Sequence, residues 1–183
     1  LLTAGNIIEW EKIQKGEVKS KPEIIDLQSA ILENIYFFKH IAARKNITVI
    51  SLVDNMLKVK ADREQFDFIM RNLISNGIKF TPEGGNVDIS AKVSGETLRI
   101  FIEDDGMGIP DKAMELLFDP EIHYSSPGTN NERGNGYGLF TIIKHIELQG
   151  GRIRIESEPN SGTKVSFSLP MADDEMQTDN FTE

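Results

Sequence analysis

The sequence predicts an α+β domain with a helical appendage at its N-terminal end, and three observations lead there. A helix-periodic stretch runs from Asp62 to Thr81 and is followed by two alternating apolar stretches around Ser94-Gly95-Glu96. A second alternating pair closes the pattern around the turn Pro159-Asn160-Ser161-Gly162. The 183 residues, 39% hydrophobic and 27% charged, suffice for one domain with a real core plus an appendage. A formal net charge of -9 and a pI near 4.9 argue against nucleic acid as the main partner, because phosphate-backbone binding needs a basic surface. With no cysteine, disulfides and thiolate metal sites are excluded. No run of about 18 apolar residues and no signal peptide appears, so no membrane span or direct membrane contact is expected of this segment.

Taken in order, Leu1 to Lys15 repeats apolar residues at helical spacing through Ala4, Ile7 or Ile8, Trp10 or Glu11 and Ile13, with Gly16 as its C′ stop. This stretch reads as the tail of a helix belonging to a helical hairpin or dimer, with a short N-terminal helix docked on its own domain as the alternative, and the pattern is already running at the first residue. Glu17 to Ser20 is extended, Lys21-Pro22 breaks it, and Asp26 caps a helix that continues to about Lys45. Its apolar stripe is Leu27, Ala30, Ile31, Ile35, Phe38 and Ala42, with His40 on the surface. Ile47 to Leu52 and Leu57 to Lys60 read as two strands joined by a turn at Asp54-Asn55. Asp62, followed by Glu64 and Gln65, caps the next helix. Strands are expected at Val87 to Val93 and Leu98 to Glu103, forming a hairpin with one buried face. Asp111 to Leu117 is a short helix. Phe118 to Arg133 is rich in Pro, Ser, Gly, Thr, Asn and Tyr, the composition of a surface loop of lid length. A helix follows from Tyr137 to Leu148, then a closing hairpin of Arg152 to Ser157 and Thr163 to Leu169. Pro170 ends the fold, and Met171 to Glu183 is an acidic tail or linker.

The helix ending in Asn72-Leu-Ile-Ser-Asn76-Gly-Ile-Lys79-Phe80-Thr81 carries the chemistry. Spacing of i, i+4 puts Asn72, Asn76 and Lys79 with Phe80 along one face, while Phe66, Ile69, Met70 and Leu73 occupy the other. A polar face made of amides and one lysine suits a ligand. An asparagine oxygen can complete the shell of Mg²⁺, which keeps waters and phosphate oxygens for its remaining positions. Lys79, about one turn further on, supplies a positive point charge beside the phosphates. The second strand of the hairpin runs into Asp104-Asp105-Gly106-Met107-Gly108-Ile109-Pro110, where a carboxylate can accept from an amino group and glycines let the backbone approach a planar ligand. Gly134-Asn135-Gly136-Tyr137-Gly138-Leu139 opens a helix, so its amides and the helix N-terminus offer an anion site. It is not a dinucleotide fingerprint, because the third glycine comes one position early and a loop precedes it where a strand is required.

Together these motifs resemble the ATP-binding domain of sensor histidine kinases, within the superfamily that also holds DNA gyrase B, the MutL mismatch-repair proteins and the large heat-shock chaperones. Asn72-x-x-x-Asn76-x-x-Lys79-Phe80-Thr81 is similar to the N box and Asp104-x-Gly106-x-Gly108-Ile109 to the first glycine box. Leu117-Phe118-Asp119-Pro120 resembles the F box, Gly134-x-Gly136-x-Gly138-Leu139 the second glycine box, and Ser161-Gly162-Thr163 the final one. The match covers about residues 26 to 170. It implies a Bergerat-type fold, a two-layer sandwich of a mixed β-sheet and helices, holding ATP and Mg²⁺ under a lid at 118–134. It implies Asn76 as the Mg²⁺ ligand, with Asn72 and Lys79 as catalytic contacts to the metal-phosphate region, and Phe80 packed near the adenine. Asp104 accepts from the adenine amino group, Gly106 and Gly108 with Ile109 admit the base, and Gly134, Gly136, Tyr137, Gly138 and Leu139 cradle phosphates. Arg133 is expected as a cationic lid contact and Thr163 as a further ATP contact from the final glycine box.

Water-using ATPases resembling gyrase carry a glutamate four residues before the magnesium asparagine, where it serves as general base. Asn72 stands there instead, so the domain is expected to hold ATP for in-line transfer to another nucleophile, with positioning and metal electrostatics supplying the catalysis. The resemblance makes that nucleophile a histidine on a dimerising helical hairpin, typically followed by an acidic residue. His40-Ile41, His123-Tyr124 and His145-Ile146 lack this setting. The acceptor is therefore expected upstream of Leu1, so the chain binds Mg-ATP without phosphorylating itself. A response regulator receiver domain is the implied partner, the homodimer forms through the hairpin, and the location is cytoplasmic. Two other readings remain: a nucleotide-binding pseudokinase that only passes conformational signals, and a serine kinase of the anti-sigma-factor type, disfavoured because Asn72 replaces its glutamate. Gly77 in place of the usual alanine, Tyr137 in place of leucine and Glu121 in place of an aromatic are departures from the family pattern.

Overall fold

The computed structural model describes residues 2–117, 122, 124–132, 134 and 136–172, the side chains of residues 2–4 excepted. Among the described residues, five helices and seven strands follow in the order α1 (Leu2–Gln14), β1 (Glu23–Asp26), α2 (Leu27–Arg44), β2 (Thr48–Ser51), β3 (Lys58–Ala61), α3 (Arg63–Phe80), β4 (Asn86–Ser94), β5 (Thr97–Asp104), α4 (Asp111–Leu117), α5 (Gly138–Leu148), β6 (Ile153–Ser157) and β7 (Thr163–Pro170). The two long helices start where their caps dictate. Asp26 accepts from the Ser29 amide at 2.8 Å and Asp62 from the Gln65 amide at 3.0 Å, each satisfying a donor the helix cannot.

A five-stranded mixed sheet has the order β2-β4-β5-β7-β6 and is covered on one face by α2, α3 and α5. On β5, Leu98, Ile100 and Ile102 alternate inward and are fully buried. They meet Phe66, Ile69, Met70, Leu73 and Ile74 of α3, with Leu27, Ile31 and Phe38 of α2 completing the core. The inward file of β5 continues two residues past Ile102 to Asp104, which is how a carboxylate comes to stand at the rim of an apolar core. Among the described residues no helix is long and apolar enough to cross a membrane.

The structure adds to the sequence reading at three points. The two strands joined by the turn at Asp54-Asn55 belong to different sheets: β2 pairs in parallel with β4, whereas β3 pairs antiparallel with β1 in a separate two-stranded sheet. Parallel partners need a crossover, and β3 with α3 supplies it between β2 and β4. The strand β1, hidden in a stretch with only one buried position, was not anticipated. Pro170 does not close the fold, because Met171 bridges Val59 and the Ala172 amide donates to Lys58 O, tying the end of β7 to the small sheet.

Candidate nucleotide site

Pairing register builds the floor of a cleft of about 310 Å³ between α3, α4, α5 and the sheet. Ile102 opposes Val165, and Val165 opposes Ile155, so three aliphatic side chains form a row across β5, β7 and β6. Two residues along, Asp104, Thr163 and Ser157 form the next row. An apolar platform bordered by a carboxylate and two hydroxyls suits a flat, amino-bearing ring.

Asp104 is pushed up to about 6, first by burial and further by neighbouring Asp105, against the Gly106 and Thr163 amides that favour its charge. Its Oδ1 accepts from those amides at 3.0 and 3.2 Å, leaving Oδ2 for a ligand. The glycines here are imposed by close approach. A Cβ on Gly106 would lie 2.6 Å from Phe80 O, and one on Gly108, at φ +66, would lie 1.9 Å from Glu158 O.

Opposite this floor, α3 presents Asn72, Asn76, Lys79 and Phe80 to the same cleft. The Asn76 amide is exposed. Lys79 is half-buried, its Nζ over the Phe80 ring at 4.4 Å and donating to Ser126 O at 2.7 Å, and burial lowers its pKa although Glu132 opposes the shift. The N-terminus of α5 forms a third wall, and the side chain at its N-cap, Tyr137, makes no capping hydrogen bond, so the helix start there favours an anion. Gly134, Gly136, Gly138 and Leu139 line the cleft there, with Gly136 at φ 75.

Of the expected site residues, Asn72, Asn76, Lys79, Phe80, Asp104, Gly108, Ile109, Gly134, Gly136, Gly138, Leu139 and Thr163 come together around the cleft. Gly106 lies beneath the wall, and the Tyr137 ring turns away to meet Trp10 edge-on at 5.2 Å. Arg133, the Phe118-Asp119-Pro120 motif and His123 lie outside the described residues. Asn72 differs from expectation in its bonding: its Nδ2 donates to Phe68 O at 2.8 Å and its Oδ1 accepts from Asn6 Nδ2 at 2.8 Å. Among the described residues no group of three His, Asp or Glu side chains is placed to hold a metal, and the oxygen donors that α3 presents to the cleft include the amides of Asn72 and Asn76. That set fits Mg²⁺, which takes few protein oxygens.

Two residues escaped the sequence reading. Lys45, just past the end of α2, is 5% exposed, and its Nζ reaches Ile78 O at 2.6 Å, Lys79 O at 3.1 Å, Thr129 Oγ1 at 2.8 Å and Glu132 Oε1 at 2.9 Å. It thus serves the last carbonyls of α3 and ties the segment 128–132 to them. Burial pushes the Glu132 carboxyl up, but the Lys45 bond and two backbone bonds outweigh it and the net shift is downward. Asn6, the other omission, is 6% exposed and lines the cleft from α1.

Residues 61–173 match the family model described as Histidine kinase-, DNA gyrase B-, and HSP90-like ATPase. The sensor histidine kinase WalK of Bacillus subtilis (strain 168) is 32% identical over 157 residues, which is 84% of this chain and 25% of WalK. The catalytic domain of the histidine kinase ThkA superimposes with a TM-score of 0.70 at 26% identity, covering 82% of this chain and 95% of that one. ThkA in complex with the response regulator protein TrrA superimposes with a TM-score of 0.72 at 23% identity, over 92% of this chain and 48% of that one, a likeness of fold. The chain spans between 18% and 33% of the length of these and other curated relatives it matches.

Proposed function

The chain belongs to the histidine kinase-, DNA gyrase B- and HSP90-like ATPase family and has the catalytic-domain fold of histidine kinases, and from that premise we propose that it holds Mg-ATP for transfer of the γ-phosphate to a histidine. The observation that carries the reading is one cleft bringing together the Asp104 carboxylate beside an apolar row, the Asn76 amide, and an uncapped helix N-terminus. Asp104 accepts from the adenine amino group while the base lies on Ile102, Val165 and Ile155. The phosphates lie toward Lys79 and the amides before α5, with Gly134, Gly136 and Gly138 giving the backbone room. Asn76 ligates Mg²⁺, which would neutralise charge on the phosphate oxygens. With Asn72 where a water-activating glutamate would stand, that position supplies no base for hydrolysis, which favours transfer of the phosphoryl group to an external nucleophile.

The acceptor is a histidine on a helical hairpin outside the residues described. His40 is exposed on α2 away from the cleft, and His145 is fully buried under α1. With His123 followed by Tyr124 where an acidic residue is expected, the chain alone is expected to bind nucleotide without phosphorylating itself. A response regulator receiver domain takes the phosphoryl group, as the complex of ThkA with TrrA suggests by analogy. We place the domain in the cytoplasm, in a homodimer formed through the hairpin that α1 ends.

Calorimetric titration with a non-hydrolysable ATP analogue tests the reading. Binding is expected with Mg²⁺, and Asn76→Ala should weaken it only when Mg²⁺ is present; no binding by the unmodified chain would sink the proposal. Asp104 adds a pH signature. Its carboxyl, at about 6 against an ordinary 3.8, takes up a proton as pH falls through 6 and loses an acceptor, so affinity should drop there. Asp104→Asn should abolish that dependence, weaken binding by about 2 kcal/mol, and raise the stability of the free fold at pH 7. The sign follows because a raised folded-state pKa means that the charged carboxylate opposes folding above it.

A further inference from the structure

We infer that Asn6, on the N-terminal helix α1, is a positioning residue of the Mg²⁺-nucleotide site, its Oδ1 accepting from a water of the hydrated metal. This rests on the nucleotide reading above and goes beyond it, because it makes the site depend on a helix outside the matched ATPase region. The orientation of Asn6 follows from a chain of hydrogen bonds. Asn72 Nδ2 must donate to Phe68 O, which turns Asn72 Oδ1 toward α1. Only an amide nitrogen can answer it, so Asn6 offers Nδ2 at 2.8 Å. The Asn6 carbonyl oxygen is then left buried, with no hydrogen-bond partner among the described residues, in a side chain that lines the cleft.

A buried carbonyl without a donor is costly and rare, so a donor is expected to reach it. Its surroundings say which. Asn6 Nδ2 lies 3.1 Å from where a Cβ on Gly138 would sit, at the uncapped start of α5 where phosphate oxygens are favoured. A carbonyl beside phosphate oxygens repels them unless a donor intervenes. Water bound to Mg²⁺ is such a donor, since the ion keeps several waters in its shell. The helix that carries Asn6 is held in place along the same face. Glu9 Oε1 lies 3.3 Å from His145 Nε2, and Trp10 meets Tyr137 edge-on, so positions 6, 9 and 10 register α1 against α3 and α5.

The test uses the full chain, a non-hydrolysable ATP analogue and two variants. Asn6→Leu keeps size and helix but removes the acceptor together with the amide that answers Asn72; Asn6→Gln keeps both groups on a longer side chain. With Mg²⁺ in excess, Asn6→Leu should bind the analogue about tenfold more weakly, the loss expected for one hydrogen bond to a charged centre, and in excess EDTA it should match the unmodified chain. Asn6→Gln should retain Mg²⁺-dependent binding. Thermal unfolding of each variant shows whether it is folded. An equal loss by Asn6→Leu with and without Mg²⁺, or no loss at all, would overturn the inference while leaving the nucleotide site intact. Absence of Mg²⁺-dependent binding by the unmodified chain would overturn both.

Discussion

The helices α2 and α3 are built alike and used differently. Each has 18 residues, each starts from an aspartate that accepts the amide three residues on, and each buries an apolar stripe in the same core. They differ on the outer face. That of α2 carries Leu32, Tyr36, Phe37 and Ile41, all about half exposed or more, with the Arg71 guanidinium 4.8 Å over Phe37. On α3 the outer face turns from Asn72 to Asn76 and Lys79 and forms one wall of the cleft. The same scaffold becomes a site only where its polar face meets a second wall. The helices also meet at their C-terminal ends, since the residue after α2 is the lysine that serves the last carbonyls of α3.

Breaking that junction should have the largest effect. Lys45→Met removes the Nζ and leaves two carbonyls and the Glu132 carboxylate without it, so chemical denaturation at pH 7 should show a loss of about 3 kcal/mol. A loss no larger than that of Lys39→Met, whose lysine is exposed on α2, would mean that the junction is ornamental. The caps sharpen the comparison next. Asp62 also accepts from the Lys21 amide at 2.7 Å and is 8% exposed, whereas Asp26 serves Ser29 at the surface. Asp62→Ala should therefore cost about 2 kcal/mol and Asp26→Ala about 1 kcal/mol, and equal costs would remove the distinction. The smallest effect is expected at Gly77. Alanine there gains about 1 kcal/mol of helix propensity, but its Cβ would meet both methyls of Val87 at 3.1 Å. Gly77→Ala should change stability by less than about 1 kcal/mol, and more favourably in a Val87→Ala background.

What the sequence displayed was local chemistry. The caps at Asp26 and Asp62, the strand end at Asp104 and the glycines before α5 each act on backbone within a few residues, so their letters announce them. Gly77 was visible as a departure, but its reason was not, because Val87 sits on the strand packed against it. Lys45 was invisible for the same kind of reason. A lysine at a helix end reads as solvated, and its four partners lie 33 to 87 positions away. Asn6 and Asn72 are 66 positions apart, and nothing in either neighbourhood hints at the other. The strands β2 and β3 show a third limit: two short strands joined by a turn leave the choice of partners to the crossover that follows.

The Lys45 junction also alters the chain between α4 and α5 as a polymer. Between Leu117 and Gly138, residues 128–132 are a fixed point fastened to the end of α3. The entropy of closing a chain segment grows only with the logarithm of its length, about 0.6 kcal/mol per doubling. Residues inserted ahead of Gly128 lengthen only the separation from Leu117 to that fixed point and should be tolerated. The same insertion between Gly128 and Glu132 would separate the lysine from its carboxylate.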